Sequence, residues 1–320
     1  MPHTPVRWLV IGIGDITTKR VIPAIEEDPR SDLYALLTRD PGKAAPYSGA
    51  HVRTDLRTAL QDPAIDAVYV ASPVSLHAEH TIESLQAGKH VLCEKPVAMN
   101  YPEAQTMAAA GNSSGKILGI AYFRRLFPKM LRVRQLIAEG AIGQTVLAEA
   151  HCHSWLENED RGWLRDPVLA GGGPLYDIGS HRIDAMNFLF GAPARATGLL
   201  SNTFHQLAVE DSASVLIDYA NRVRGIVDVR WNSRVTRDQF RVIGTEGEIN
   251  LDPLHGHGMR VNGVGEDHPR HPNVHFPLIQ NFTAAVLDGA PVACTADQAI
   301  QTDWVTAEVM RANAGNAGRQ

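Results

Sequence analysis

The chain has 320 residues, 30 Lys+Arg against 35 Asp+Glu, and 44% hydrophobic residues; this length predicts one large domain or two ordinary ones, and the composition excludes disordered, collagen-like and disulfide-scaffold classes. A net charge of −5 argues against a nucleic-acid partner, and no run of about 18 apolar residues predicts a membrane span. The opening Met1-Pro2-His3-Thr4-Pro5-Val6-Arg7 shows no signal-peptide region, and Cys93, Cys152 and Cys294 form no disulfide framework, so a cytoplasmic enzyme is expected.

Trp8-Leu9-Val10-Ile11 reads as a strand buried on both faces. It ends at Gly12-Ile13-Gly14-Asp15-Ile16-Thr17, and a helical stretch follows to about Asp28-Pro29. Leu33–Leu37, Ala67–Ala71, His90–Leu92 and Ile117–Ile120 repeat the buried-strand pattern, with helices over His77–Ala87 and from Pro102 to about Ala110 between them. This alternation predicts parallel strands joined by right-handed helical crossovers, a doubly wound sheet whose ligands lie outside the carboxyl ends of its strands. From about Gln144 the period changes to two. Thr145–Trp155, Ala213–Tyr219 and Val223–Trp231 alternate as half-buried antiparallel strands do, with a hairpin-like turn at Asn221. A helix over Pro174–Phe190 and helices near 275–288 and 296–312 complete an α+β domain on an antiparallel sheet.

Gly12 and Gly14 follow a strand and precede a helix, where backbone N–H groups can approach a pyrophosphate; the third glycine of the fingerprint is replaced by Thr17. Ile13, Asp15 and Ile16 complete that loop. Ser72, Pro73 and His77, just after the strand at Ala67–Ala71, join the candidate cofactor-binding set. Beyond the second strand stand Thr38, Arg39, Asp40 and Lys43. A hydroxyl and two cations suit the 2′-phosphate of NADP(H), because Arg grips phosphate bidentately. The alternative is NAD(H), with Arg39 and Lys43 merely solvated and Asp40 turned to the ribose.

Cys93-Glu94-Lys95-Pro96 places Lys95 at the carboxyl end of a strand, where an ammonium can polarise a carbonyl or stabilise an alkoxide. In Gly171-Gly172-Gly173-Pro174-Leu175-Tyr176-Asp177-Ile178-Gly179-Ser180-His181-Arg182-Ile183-Asp184, Pro174 suits a first helical turn. Asp177, His181 and Asp184 then fall on one helix face, and a histidine flanked by carboxylates can move a proton near neutral pH. A capped helix with a core histidine is the competing reading. On the strand Thr145–Trp155, Glu149, His151, His153 and Trp155 share a face, fitting either a sugar site or a dimer interface. A metal on His151 and His153 with His255 and His257 is not expected.

The glycine loop, the Glu94-Lys95-Pro96 tripeptide and the Gly171-to-Asp184 segment together resemble the glucose–fructose oxidoreductase / inositol dehydrogenase family (Gfo/Idh/MocA) over nearly the whole chain. Arg125 in Phe123-Arg124-Arg125-Leu126-Phe127-Pro128, Trp163 ahead of the glycines and Ile243-Gly244-Thr245-Glu246-Gly247 extend the resemblance, and the Trp-to-triple-Gly spacing is similar to that of the family's NADPH-dependent reductases. It implies an N-terminal Rossmann domain, set at 1–122, and an α+β domain with an open, mostly antiparallel sheet, set at 123–320, whose C-terminal helices can pack back on the first. The resemblance also implies Lys95, Asp177 and His181 as the catalytic set, and Glu94, Arg125, Trp163 and Arg165 as cofactor contacts. Relatives commonly have Trp-Arg where this chain has Trp163-Leu164-Arg165, and Arg182 occupies a spot suited to influencing substrate choice. A small sugar-like substrate and a homo-oligomer, dimer or tetramer, are the implied partners. The expected activity is NADP(H)-dependent hydride transfer to or from a carbonyl or secondary alcohol. Its rivals are an NAD-dependent sugar or polyol dehydrogenase, a redox-assisted glycosidase and a non-catalytic sensor.

Overall fold

The computed structural model describes residues 4–156 and 159–314. The chain divides into two units: 1–126 with 271–300, and 127–270 with 301–320. The first unit thus takes in 271–300, late in the chain, together with its N-terminal residues.

In the first unit, β1 (Val6–Ile11), α1 (Ile22–Glu27), β2 (Ser31–Leu37), β3 (His51–Arg53), α2 (Leu56–Leu60), β4 (Ala67–Val70), α3 (His77–Gln86), β5 (His90–Cys93), α4 (Tyr101–Ser114) and β6 (Leu118–Ile120) alternate along the chain. The six strands form one parallel sheet in the order β3-β2-β1-β4-β5-β6. Both faces are covered, which explains why the strands read as continuous apolar runs. Leu9, Ile11, Val68 and Val70 pack with Leu85, Ala104 and Met107. Trp8, Val10, Leu36 and Tyr69 pack on the other side with Ile22, Ile25, Leu278 and Phe282. The last two come from the late helix Phe276–Asp288. Because the strand order reverses at β1, the carboxyl ends of β1 and β4 form the switch point at which such sheets bind ligands.

The second unit begins with α5 (Pro128–Ala138), followed by β7 (Thr145–Trp155), α6 (Pro167–Ala170), α7 (Ser180–Phe190), β8 (Pro193–Ser201), β9 (Ser212–Tyr219), β10 (Arg224–Arg230), β11 (Asn232–Gly244), β12 (Glu248–Leu251), β13 (Gly258–Val261) and β14 (Val264–Asp267). The late helices are α8 (Phe276–Asp288), in the first unit, and α9 (Ala296–Asn313), whose residues from 301 belong to the second. The sheet order is β14-β13-β12-β11-β7-β10-β9-β8. All pairings are antiparallel except that of β10 with β7. Ala148, Ala150, Val215, Ile217, Val227, Val229, Phe240 and Val242 bury one face; Glu149, His151, His153, Asp228, Arg230, Gln239 and Arg241 alternate onto the other, each half-buried. None of the three cysteines is in a disulfide. Among the described residues no helix is long and apolar enough to cross a membrane.

Candidate functional site

The candidate residues of the first unit gather at the carboxyl ends of its parallel strands. Gly12 leaves β1 with φ +90°, and a Cβ there would stand 2.7 Å from the carbonyl oxygen of Ala71 at the end of β4, so only glycine permits this turn. A Cβ on Gly14 would meet nothing within 4 Å. That open space, beside a helix N-terminus, is the cradle a pyrophosphate requires. Thr17 is fully buried; its hydroxyl accepts from the Gly14 N–H at 2.8 Å and donates to the Gly14 carbonyl at 2.9 Å. It therefore holds the loop's shape in place of the missing glycine. Asp15 and Ile16 are exposed, and Asp15 pairs with Lys19.

Past β2, the Thr38 hydroxyl accepts from the Asp40 N–H at 3.1 Å, and the Asp40 carboxylate accepts from the Gly42 N–H at 3.0 Å, capping the short turn Pro41–Ala44. Asp40 thus caps its own turn through Oδ1. Arg39 and Lys43 are exposed, and neither side chain makes a hydrogen bond or ion pair among the described residues. Past β4, Pro73 starts a 3₁₀ turn into α3. His77 is buried, with Nδ1 2.9 Å from the Pro96 carbonyl and Nε2 3.0 Å from the Ser72 carbonyl. Burial, only partly offset by those carbonyls and by Glu94, holds its pKa below the ordinary value. His77 therefore ties the end of β4 to the end of β5, and the Ser72 hydroxyl lies 3.1 Å from His80 Nδ1.

Past β5, Glu94 turns inward. It accepts from the Tyr69 hydroxyl at 2.7 Å and from the Lys95 N–H at 3.2 Å, and His275 Nε2 lies 3.4 Å away. Burial pushes this carboxyl up, but His275, Tyr69 and the Lys95 charge together hold it below the usual range. Burial and Glu94 push the Tyr69 phenol well above its own. Glu94 is therefore the anchor of the turn that carries Lys95, whose bond to Pro96 is cis. Arg125 is buried and donates to Gln298 Oε1 at 2.7 Å.

In the second unit, the last of the three glycines is explained by close approach. A Cβ on Gly173 would stand 2.0 Å from the carbonyl oxygen of Glu210. The carboxylate of Glu210 reaches round to accept from the N–H groups of Gly173 (2.9 Å) and Leu175 (3.0 Å), satisfying two donors of a buried helix start. Nothing in the sequence spacing links residue 210 to this helix. The expected single helix begins as a π-helical turn, Leu175–Gly179, carrying Asp177, and continues as α7 with His181 in its first turn. The wider turn changes the angular step per residue between Asp177 and His181; such turns recur at functional sites. His181 and Asp184 are buried, and Asp177 is half-buried.

Arg182 is 3% exposed and forms an ion pair with Asp238 of β11, which tethers α7 to the sheet. Asn187 fixes the same helix by accepting from the Tyr219 hydroxyl and donating to Thr302. Trp163 is exposed in the 3₁₀ turn Glu159–Arg165, and Arg165, half-buried, ends that turn.

A parallel sheet in this order, with a Gly-x-Gly turn at its switch point and a lysine at the end of β5, defines a dinucleotide-dependent oxidoreductase. Residues 6–122 match the model described as the oxidoreductase family with an NAD-binding Rossmann fold, and residues 130–250 match the GFO/IDH/MocA C-terminal domain. The chain belongs to the Gfo/Idh/MocA family of NAD(P)-dependent oxidoreductases. It is 31% identical to a 1,5-anhydro-D-fructose reductase of Ensifer adhaerens over 76% of this chain and 74% of that one. It is 26% identical to a D-xylose 1-dehydrogenase [NADP(+)] of Haloarcula marismortui over 78% of this chain and 72% of that one. Among solved structures, GenD2 from gentamicin A biosynthesis in complex with NAD superposes with a TM-score of 0.85 at 27% identity, covering 99% of this chain and 96% of that one.

Proposed function

We propose that this protein is an NADP(H)-dependent oxidoreductase acting on a carbonyl or secondary alcohol of a sugar-like substrate. The observation that carries the nucleotide choice is the pair of uncommitted cations, Arg39 and Lys43, beyond β2, beside an Asp40 already spent on capping its turn. A dianionic 2′-phosphate suits two such cations better than a bare hydroxyl does. The sugar class follows the relatives, named for an anhydrofructose and for xylose.

The nicotinamide, when bound, supplies or accepts the hydride at the carbon of the carbonyl or alcohol. Gly12 to Ile16 bind its pyrophosphate at the helix start, and Thr17 keeps that loop in shape. The ammonium at Lys95 Nζ polarises the carbonyl oxygen, and Glu94 fixes the Lys95 backbone. The imidazole of His181 is the proton donor, and Asp177 is its orienting carboxylate. Oriented acid–base groups contribute about 10²–10⁴ in rate.

The test is NADPH consumption by the full chain with 1,5-anhydro-D-fructose and a panel of keto-sugars, for the natural sequence and for Lys95→Met and His181→Ala. A fall in kcat of about 10²–10⁴ with NADPH affinity retained is expected. Equal losses of turnover and cofactor affinity reject the catalytic roles, and no turnover on any sugar rejects the substrate class.

A further inference from the structure

The polar face of the second sheet carries a cluster with no part in the chemistry above. His151 and His153, two residues apart on β7, project to the same side of the sheet. Asp228 on β10 stands in register with His151. One ligand-capable atom from each of the three side chains lies within 4.8 Å of the others, and His153 Nε2 is 2.8 Å from Asp228 Oδ1. His255 and His257 are not part of this group.

We propose that His151, His153 and Asp228 form a binding site for a divalent first-row transition metal, zinc being the best fit. Two imidazoles with one carboxylate select such ions over magnesium or calcium, which prefer all-oxygen shells. Zinc bonds of about 2.0–2.1 Å in a tetrahedron set ligand atoms roughly 3.3 Å apart. The pair at 2.8 Å must open slightly and the widest separation must close, both within the reach of side-chain rotation. Ser214 donates to Asp228 Oδ2 at 2.6 Å, the outer contact that holds a ligating carboxylate in orientation. His151 also lines a cavity of about 160 Å³ with Glu149, Gln239, Arg241 and Asn250, on the side of β7 away from Asp228.

Arg230 opposes the ion. Its Nε and Nη2 donate to Asp228 at 2.6 and 2.9 Å, so metal and guanidinium compete for one carboxylate. The Arg230 side chain is 38% exposed and can turn to solvent when displaced. This competition separates a metal site from an ion-pair network that merely pins β7 to β10, because removing the arginine weakens the network but strengthens the site.

The experiment is calorimetric titration of the chelator-stripped full chain with zinc chloride, repeated with cobalt(II) to read its visible absorption. One equivalent is expected to bind. His153→Ala and Asp228→Asn should each weaken binding by at least about 100-fold, the upper end of what losing an outer-shell partner costs, and Arg230→Gln should tighten it roughly fivefold or more. Far-UV circular dichroism and NADPH binding confirm that each variant is folded. No saturable zinc binding by the natural sequence overturns the proposal, as does binding unchanged in His153→Ala.

Discussion

Replacing Gly173 by alanine tests the helix start on which Asp177 and His181 depend. The added Cβ would stand 2.0 Å from the Glu210 carbonyl oxygen and 3.1 Å from its carbon, both backbone atoms. Reaching an ordinary contact of about 3.4 Å or more means that one backbone segment retreats by over ~1 Å. Overpacking of this kind costs about 1–3 kcal/mol, and the retreat also lengthens the bonds from the Gly173 and Leu175 N–H groups to the Glu210 carboxylate. Asp177 lies four residues on, so the displacement reaches the proposed acid–base pair, where a shift of about 1 Å costs on the order of 10²-fold in rate. Urea unfolding reads the first effect and NADPH consumption with a keto-sugar reads the second. Gly265→Ala, where a Cβ meets nothing within 4 Å, is the matched control. A Gly173→Ala protein with stability within about 0.5 kcal/mol of the natural chain and unchanged kcat would show that this close approach does not hold the helix start.

Two further predictions concern buried charges. Arg182→Met should destabilise the protein by about 2–4 kcal/mol, somewhat below a fully buried pair because Asp238 retains 21% exposure, while the order of preference among sugars stays the same; a changed preference would give Arg182 a substrate role. Lys129, buried on α5 with Nζ 2.8 Å from the Pro253 carbonyl, has its pKa lowered by burial from 10.5 to about 8. Between those values the unfolded chain holds a proton that the folded one has released, so this group's contribution to stability rises with pH across that window. The difference in unfolding free energy between the natural chain and Lys129→Met should therefore increase from pH 8 to 10, and a flat or falling difference would contradict it.

The first sheet was legible because strands buried on both faces must be apolar at every position. The reading from Trp8–Ile11 through Ile117–Ile120 thus finds β1, β2, β4, β5 and β6 within two residues at each end. It misses β3, His51–Arg53, a three-residue edge strand whose side chains are largely exposed and so leave no apolar run. In the second sheet β7 falls where the two-residue period places it, whereas the four-residue strands of the hairpin β13–β14 are too short to show a period. Asn262 and Gly263, both at positive φ, are its turn, and the Asn-Gly pair is its mark in the sequence. Motif residues whose partners are close in sequence were readable, as with the loop Gly12 to Thr17. Glu210 was not readable, nor were Tyr69 and His275 beneath Glu94, nor Asp228 beside His153. Each lies 25 or more residues from its partner, a pairing created only by the folded sheets.

The proposed NADP(H) preference rests on Arg39 and Lys43. Tryptophan quenching of the cofactor-stripped protein, titrated separately with NADPH and NADH, tests it directly. A clear preference for NADPH is expected, which Arg39→Ala removes while leaving NADH affinity as it was. Equal affinities, or a preference for NADH in the natural sequence, would contradict the 2′-phosphate assignment.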